Sequence, residues 1–274
     1  MEADRILRQY AAGERIFREI DLVGADLKGV NLSEANFTRA NFQNANLKGA
    51  NLTGANLREV KLAGVDMTEA NLSEANLIGT DLSRANLSGA NLVGANLRGS
   101  MAREVNMTKA NLTEANLTEA NFTEANLFAA NLTEASMIRT NLMKANLSWS
   151  TLKAVNLTNA ILSESLLERA NRTQAILSGA MLSGANLTGA DLRQVTMIGA
   201  NLTEANLNNA NLRVANVSWL TLRGANLSGA NLYRAKLCWS NLSGAVLVEA
   251  VLIDANLNRT NLRDADLRRA IMPD

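Results

Sequence analysis

From residue 20 to residue 272 an apolar side chain returns at every fifth position, without one insertion or deletion. There are 51 such positions between Leu22 and Met272, and 49 carry Leu, Phe, Met or Val. The two exceptions, Ala102 and Arg172, are candidate irregularities of the coil. Each unit reads Ala, then Asn or Asp, the apolar residue, a variable residue, and finally Gly, Glu or another polar residue. Ala85-Asn86-Leu87-Ser88-Gly89 followed by Ala90-Asn91-Leu92-Val93-Gly94 shows it. A period of five suits neither regular element as one continuous piece. On an α-helix five residues advance about 140°, which winds Leu onto every face. On a flat strand an odd period sends alternate Leu to opposite sides. The chain must therefore turn at every unit, so that each unit forms one side of a polygon and every Leu points to a shared axis.

Glycine marks the same turn. Of 17 Gly, 16 occupy the last position of a unit and the other is Gly13. A residue that accepts positive φ, used at one phase, places a turn there. Residues 100–178 contain no Gly, so their turns are expected to differ. Ahead of the repeat, residues 2–12 carry a helical pattern, with Ile6, Leu7, Tyr10 and Ala11 on one face and Gly13 as its stop.

Spacing alone does not give the number of sides. The units resemble the pentapeptide-repeat family, whose motif is A(D/N)LXX, over residues 20–272. The resemblance implies four units per coil: an all-β, right-handed quadrilateral β-helix of about 12–13 coils. At the ~4.8 Å strand spacing it is on the order of 60 Å long. The expected organisation is a capping helix and lead-in over 1–19 and one repeat domain over 20–274. Inside it, Leu and Ala columns leave no room for a ligand cavity. Asn and Asp satisfy backbone groups at the turns and stack as polar ladders. Leu7-Arg8-Gln9-Tyr10-Ala11-Ala12-Gly13 and Ala270-Ile271-Met272-Pro273-Asp274 resemble the ends of cyanobacterial members, including regulators of heterocyst differentiation. For the C-terminal coil three readings stay open: Pro273 blunts it, two chains meet there so that the protein is a dimer rather than a monomer, or a further tail follows. Both ends of such a solenoid expose strand edges that need covering.

Four sides place residues 20 apart directly above one another. Trp219 and Trp239 then stack on one outer edge, with Arg259 continuing the column. Tyr233 and Arg234 lie at the neighbouring corner with Arg213 below Tyr233. Exposed Trp, Tyr and Arg are the composition of an interface, and these six residues are the candidate partner site. Trp149 lies on another edge, one coil below Arg169, and a cation–π contact between them explains it as well as a partner does. Glu34, Glu74, Glu114 and Glu134 share another column with Gly54 and Gly94, and Lys153, Arg193 and Arg213 a third. Arg172 replaces an axis-facing Leu, and burying an unpaired guanidinium is prohibitive. A local distortion around 161–181 is expected to bring it to water, beside Glu164 or Glu168. In the same stretch Ile161, Leu166, Ile176 and Met181 replace Asn and are expected to point outward.

Composition narrows the function. The chain of 274 residues has a net charge of +1, split into −4 for residues 1–137 (13 basic, 17 acidic) and +5 for residues 138–274 (14 basic, 9 acidic). Without His there is no His-based dyad and no imidazole metal ligand. The carboxylate columns have no enclosing cleft to shift a pKa. The expectation is a non-enzyme with no cofactor, metal, small-molecule substrate, nucleic acid or membrane as partner. A single Cys, Cys238, and an acidic N-terminus with no apolar block after it point to the cytoplasm. The leading reading is a scaffold or regulator that binds another protein. The alternatives are DNA mimicry toward gyrase, as the family resemblance allows, and a solenoid with no dedicated partner.

Overall fold

The computed structural model describes residues 2–171 and 173–273. They fall into two compact units, Met1–Ser136 and Met137–Asp274. The same construction operates inside each.

One repeat unit, 50–54, shows why the chain folds this way. Asn51 N–H donates to Val30 O at 2.8 Å, one coil before. Leu52 N–H donates to Asn71 O at 2.7 Å and Gly54 N–H to Ser73 O at 2.9 Å, one coil after. Ala50 N–H closes the turn onto Leu47 O at 3.0 Å. The remaining donor, Thr53 N–H, is taken by the Asn51 side-chain oxygen at 3.1 Å. All five N–H groups of the unit are satisfied, as buried backbone requires. Asn is preferred at this phase because its carboxamide fills the one gap in the backbone pattern. Its amide also donates along the stack, from Asn51 to Asn31 and from Asn91 to Asn71, each at 3.1 Å. Where Asp66 takes the place of Asn, the Thr68 hydroxyl and backbone N–H donate to its carboxylate and hold its pKa below the usual value.

Parallel bridges join the residue at the Asn/Asp phase of a unit to the one 20 further on, as in the series Asn31, Asn51, Asn71, Asn91 and the series Asn171, Asp191, Asn211, Asn231, Val251. Twenty residues at five per side make four sides per coil. Each side contributes one bridge residue, too short for a strand, and among the described residues the sole helix is α1, Glu2–Ala11. It is far too short to cross a membrane. The interior is a stack of Leu and Ala columns: Leu52, Leu72, Leu92 and Ala90 are 0% exposed, as are Leu202, Ala205 and Leu242. Ala102 is irregular in sequence only. It is fully buried, its N–H reaches Asn121 O at 2.7 Å, and the bulkier Phe122 occupies the next level of its column.

The turns correct one expectation. Residues 100–178 turn like the rest: Glu104, Glu114, Trp149 and Gln174 have φ of 57°, 59°, 62° and 64°, beside 64° at Gly54. The turn residue donates its N–H to the adjacent coil in either case, as Glu114 does to Thr133 O at 2.9 Å. The hydrogen-bond lattice imposes the left-handed conformation, and glycine relieves a strain of about 1–2 kcal/mol rather than enabling the turn. Ala154 (φ 54°) carries this strain with no polar side chain to compensate. Ala154→Gly should therefore stabilise the second unit by about 0.5–1 kcal/mol in denaturant titration. An unchanged or lowered midpoint would contradict the strain.

At the N-terminus α1 ends in a Schellman turn. Gly13 (φ 100°) donates to Tyr10 O and Glu14 N–H to Gln9 O, each at 3.0 Å. Ile6 is buried and Leu7 and Tyr10 half-buried, but Ala11 is exposed. Ala11 was expected on the packed face; the Schellman turn leaves it outside. Tyr10 hydroxyl donates to Ser33 O at 3.0 Å, and the Arg15 guanidinium sits 3.9 Å above its ring. Beneath, Phe17 stacks on Phe37 at 5.5 Å, and Phe37 meets Phe42 edge-on at 5.1 Å.

Arg172, and with it the centre of the expected distortion, lies outside the described residues. Its described surroundings hold the register, with Thr151, Asn171 and Asp191 still bridged. Nearby inter-coil bonds lengthen to 3.2–3.3 Å at Arg169, Gln174 and Asp191. Glu164 pairs with Lys144 at 3.6 Å, and Glu168 accepts from Asn186 at 2.6 Å. Leu166, Ile176 and Met181 do point outward, at 41–44% exposure, and Ile161 is half-buried.

Candidate functional site

The same lattice that turns the chain also aligns its outer side chains. Trp219 N–H donates to Cys238 O at 2.9 Å and Trp239 N–H to Asn258 O at 3.0 Å. With φ of 61°, 63° and 58°, Trp219, Trp239 and Arg259 project from one corner in successive coils of the second unit. The indole rings lie 5.0 Å apart and 3° from parallel. Arg259 covers the far face of Trp239 at 4.2 Å. This is the stack the 20-residue spacing predicts. Such contacts contribute on the order of 1 kcal/mol each, yet the rings remain 58% and 45% exposed.

At the neighbouring corner, Arg213 and Arg234 both lie over the Tyr233 ring, at 4.7 and 4.9 Å. Arg234 also donates to Asp254 at 3.1 Å. The six candidate residues are thus arranged as two aromatic–cation groups. The sequence reading missed three exposed apolar residues among them: Val214, Ile198 and Ile253. The signal was present, since Val214 stands 20 before Arg234, Ile198 20 before Ser218, and Ile253 20 after Tyr233. Cys238 is half-buried on the face between the two corners. Trp149 and Arg169 form their cation–π pair at 5.0 Å on another edge of the same unit.

The electrostatics differ between the two units. In the first, the Glu column stacks as expected, with Glu34 and Glu74 Cγ beside Gly54 and Gly94. Other carboxylates there are interleaved with arginines: Arg39 bridges to Glu19 and Glu59, and Arg103 to Glu104 and Glu124. Hydrogen bonds from Arg39 and Arg58 hold Glu59 low, and those from Arg103 and Arg84 hold Glu104 low. In the second unit, of the Lys153, Arg193 and Arg213 column, Arg193 grips Asp191 and lowers its pKa. Around the Trp edge, among the described residues, no carboxylate lies within salt-bridge distance of Arg213, Arg223, Lys236 or Arg259. The carboxylates so held, Glu59, Glu104 and Asp191, are all lowered, opposite to a general acid poised near neutrality. The chemistry this surface offers is adhesive: flat aromatic faces and unneutralised guanidinium groups.

The family "Pentapeptide repeats" matches in eight copies within residues 16–269. Among solved structures, the chain is 36% identical to HetL, a pentapeptide repeat protein involved in heterocyst differentiation regulation from the cyanobacterium Nostoc; the match covers 98% of this chain and 96% of that one, with a TM-score of 0.27. A pentapeptide repeat protein from the cyanobacterium Cyanothece is 35% identical over 35% of this chain and 63% of its own, with a TM-score of 0.26. QnrB1, a plasmid-mediated fluoroquinolone resistance protein, is 20% identical over 78% of this chain and 92% of its own, with a TM-score of 0.28. Among curated proteins none matches the chain. With HetL the likeness rests on sequence identity across both chains rather than on superposition.

Proposed function

From a chain that belongs to the pentapeptide repeat family, we infer a non-catalytic scaffold that binds another protein through the outer edges of its coils. The family's right-handed quadrilateral β-helix suits this role, because a solenoid whose interior is filled offers only its outside. The observation that carries the reading is the exposed Trp219–Trp239–Arg259 stack. Large exposed aromatic surface is uncommon on soluble proteins and concentrates at interfaces. HetL is described as involved in regulating heterocyst differentiation, and a regulatory role in the cytoplasm of a cyanobacterium is the corresponding proposal here.

DNA mimicry needs a dense acidic surface. The first unit is net −4, with many of its carboxylates paired to arginine, and the second is net +5. This charge distribution counts against that reading. The test is photocrosslinking from p-benzoylphenylalanine placed at Val214, in the column of the Tyr233–Arg234 corner, or at Glu34 in the first unit. Discrete protein adducts should form from position 214 and not from position 34. Adducts from 34 alone would move the site elsewhere.

A further inference from the structure

The Trp column is incomplete at one level. Trp239 is covered on both faces, by Trp219 at 5.0 Å and by Arg259 at 4.2 Å. Trp219 is covered on one face only. The column position one coil before it is Gly199, whose N–H donates to Ser218 O at 3.2 Å. A Cβ built on Gly199 would meet no atom within 4 Å. The position before that is again glycine, Gly179, with the Asn159 side-chain oxygen where its Cβ would lie. The open face of Trp219 therefore looks across a step with no side chain at its own level, floored by a carboxamide. Ile198, 40% exposed, flanks the step.

This gap lies at the level that one further rung of the stack would occupy. A flat ring entering at the level of residue 199 would stack on Trp219 at the spacing that already separates the two indoles. The surroundings decide what carries the ring. Arg213, Arg223, Lys236 and Arg259 have no carboxylate within salt-bridge distance among the described residues. Arg213 and Arg259 lie over aromatic rings, at 4.7 and 4.2 Å, and a guanidinium so placed retains N–H donors for bidentate pairing with carboxylates. A cationic side chain would be repelled from this edge, and an acidic one drawn to it.

We propose that the Gly199 step is a slot for an aromatic side chain of an acidic peptide segment. The ring stacks on the open face of Trp219, and the flanking carboxylates engage Arg259 and Arg213. The inference rests on the partner-binding reading of this edge and adds the chemistry of the partner.

The probe is a fluorescein-labelled nonapeptide of Glu and Asp with one central Phe, titrated by anisotropy. Matched probes carry Ala for Phe, or Lys and Arg for the acids, and a single-stranded oligothymidylate serves as the base-bearing anion. Gly199→Trp fills the slot, and the lattice accepts Trp at this phase, as Trp219 and Trp239 show. Gly99→Trp makes the same change at an equally open glycine of the first unit. The Phe peptide should bind the wild-type chain. Binding should weaken by about tenfold or more in Gly199→Trp and for the Ala peptide, and remain unchanged in Gly99→Trp, with circular dichroism alike in all. Equal binding of the Phe and Ala peptides, or by Gly199→Trp, overturns the slot; if Trp219→Ala/Trp239→Ala still loses the acidic peptide, the edge itself stands as a binding surface. Oligothymidylate bound through Gly199 in place of the peptide, stronger binding of the basic peptide, or binding of no probe each overturns the proposal.

Discussion

Phe37→Ala is expected to lower the stability of the first unit by about 3–5 kcal/mol. Phe37 is fully buried and joins Phe17 at 5.5 Å to Phe42 at 5.1 Å. Elsewhere this column mostly holds Leu, whose loss leaves a smaller void. Here one truncation removes two ring contacts and opens a cavity near the coil that α1 is tied to through Tyr10 and Ser33. Stability in a solenoid is a sum over neighbouring coils, so the damage should be local. Urea unfolding should show an earlier transition, and hydrogen exchange should accelerate first in residues 17–56. Uniform acceleration through Ser136 would indicate that the unit unfolds as one cooperative block instead.

Ala205→Asp is the second large effect. Ala205 is 0% exposed at a phase where the repeat mostly uses Ala. Most polar residues there have an acceptor at hand: Ser165 and Ser150 donate to the carbonyls three residues earlier at 2.6 Å, and Ser240 to Val217 O at 2.8 Å. Ser100 Oγ is the one such hydroxyl without a partner among the described residues. A carboxylate can only accept, and it has no cation beside it, so the expected loss at neutral pH is about 3–5 kcal/mol. Burial raises the pKa of the new carboxyl above its unfolded value. Unfolding then releases a proton between the two pKa values, so the penalty is full above the folded pKa and shrinks as pH falls through it. The gap in stability between wild type and variant should narrow from pH 7.5 to pH 4.5. A gap that is constant with pH would mean that the carboxylate reaches water.

Much of this fold was legible in residue pattern, for a physical reason. Five-residue periodicity excludes both continuous helix and flat strand, and Gly at one phase locates the turn. The number of sides was not legible from spacing, because any polygon satisfies the pattern; it came from the family resemblance, and the 20-residue bridges agree with it. Once four sides are taken, Trp219, Trp239 and Arg259 fall into one column without further information. The turns of residues 100–178 were misread because glycine was taken as a requirement. The inter-coil bonds are strong enough together to hold Glu, Lys or Trp at positive φ. Gly199 was legible only as a turn. Its second role, an absent side chain beside an open indole, depends on what stands 20 residues later and on the ring's orientation. Ala11 shows the converse, a residue with the right helical phase that a C-terminal turn leaves outside.

The central claim is that this solenoid works by binding a protein along its Trp219–Trp239 edge. The most direct measurement is affinity capture from a cyanobacterial lysate, comparing the wild-type chain with Trp219→Ala/Trp239→Ala and identifying bound proteins by mass. Both rings lie outside the core, so the variant should keep the wild-type circular dichroism and lose only the about 2 kcal/mol that the two ring contacts supply. The account predicts a partner retained by the wild-type chain and lost from the double variant. The same partner on both baits, at equal amounts, would contradict it.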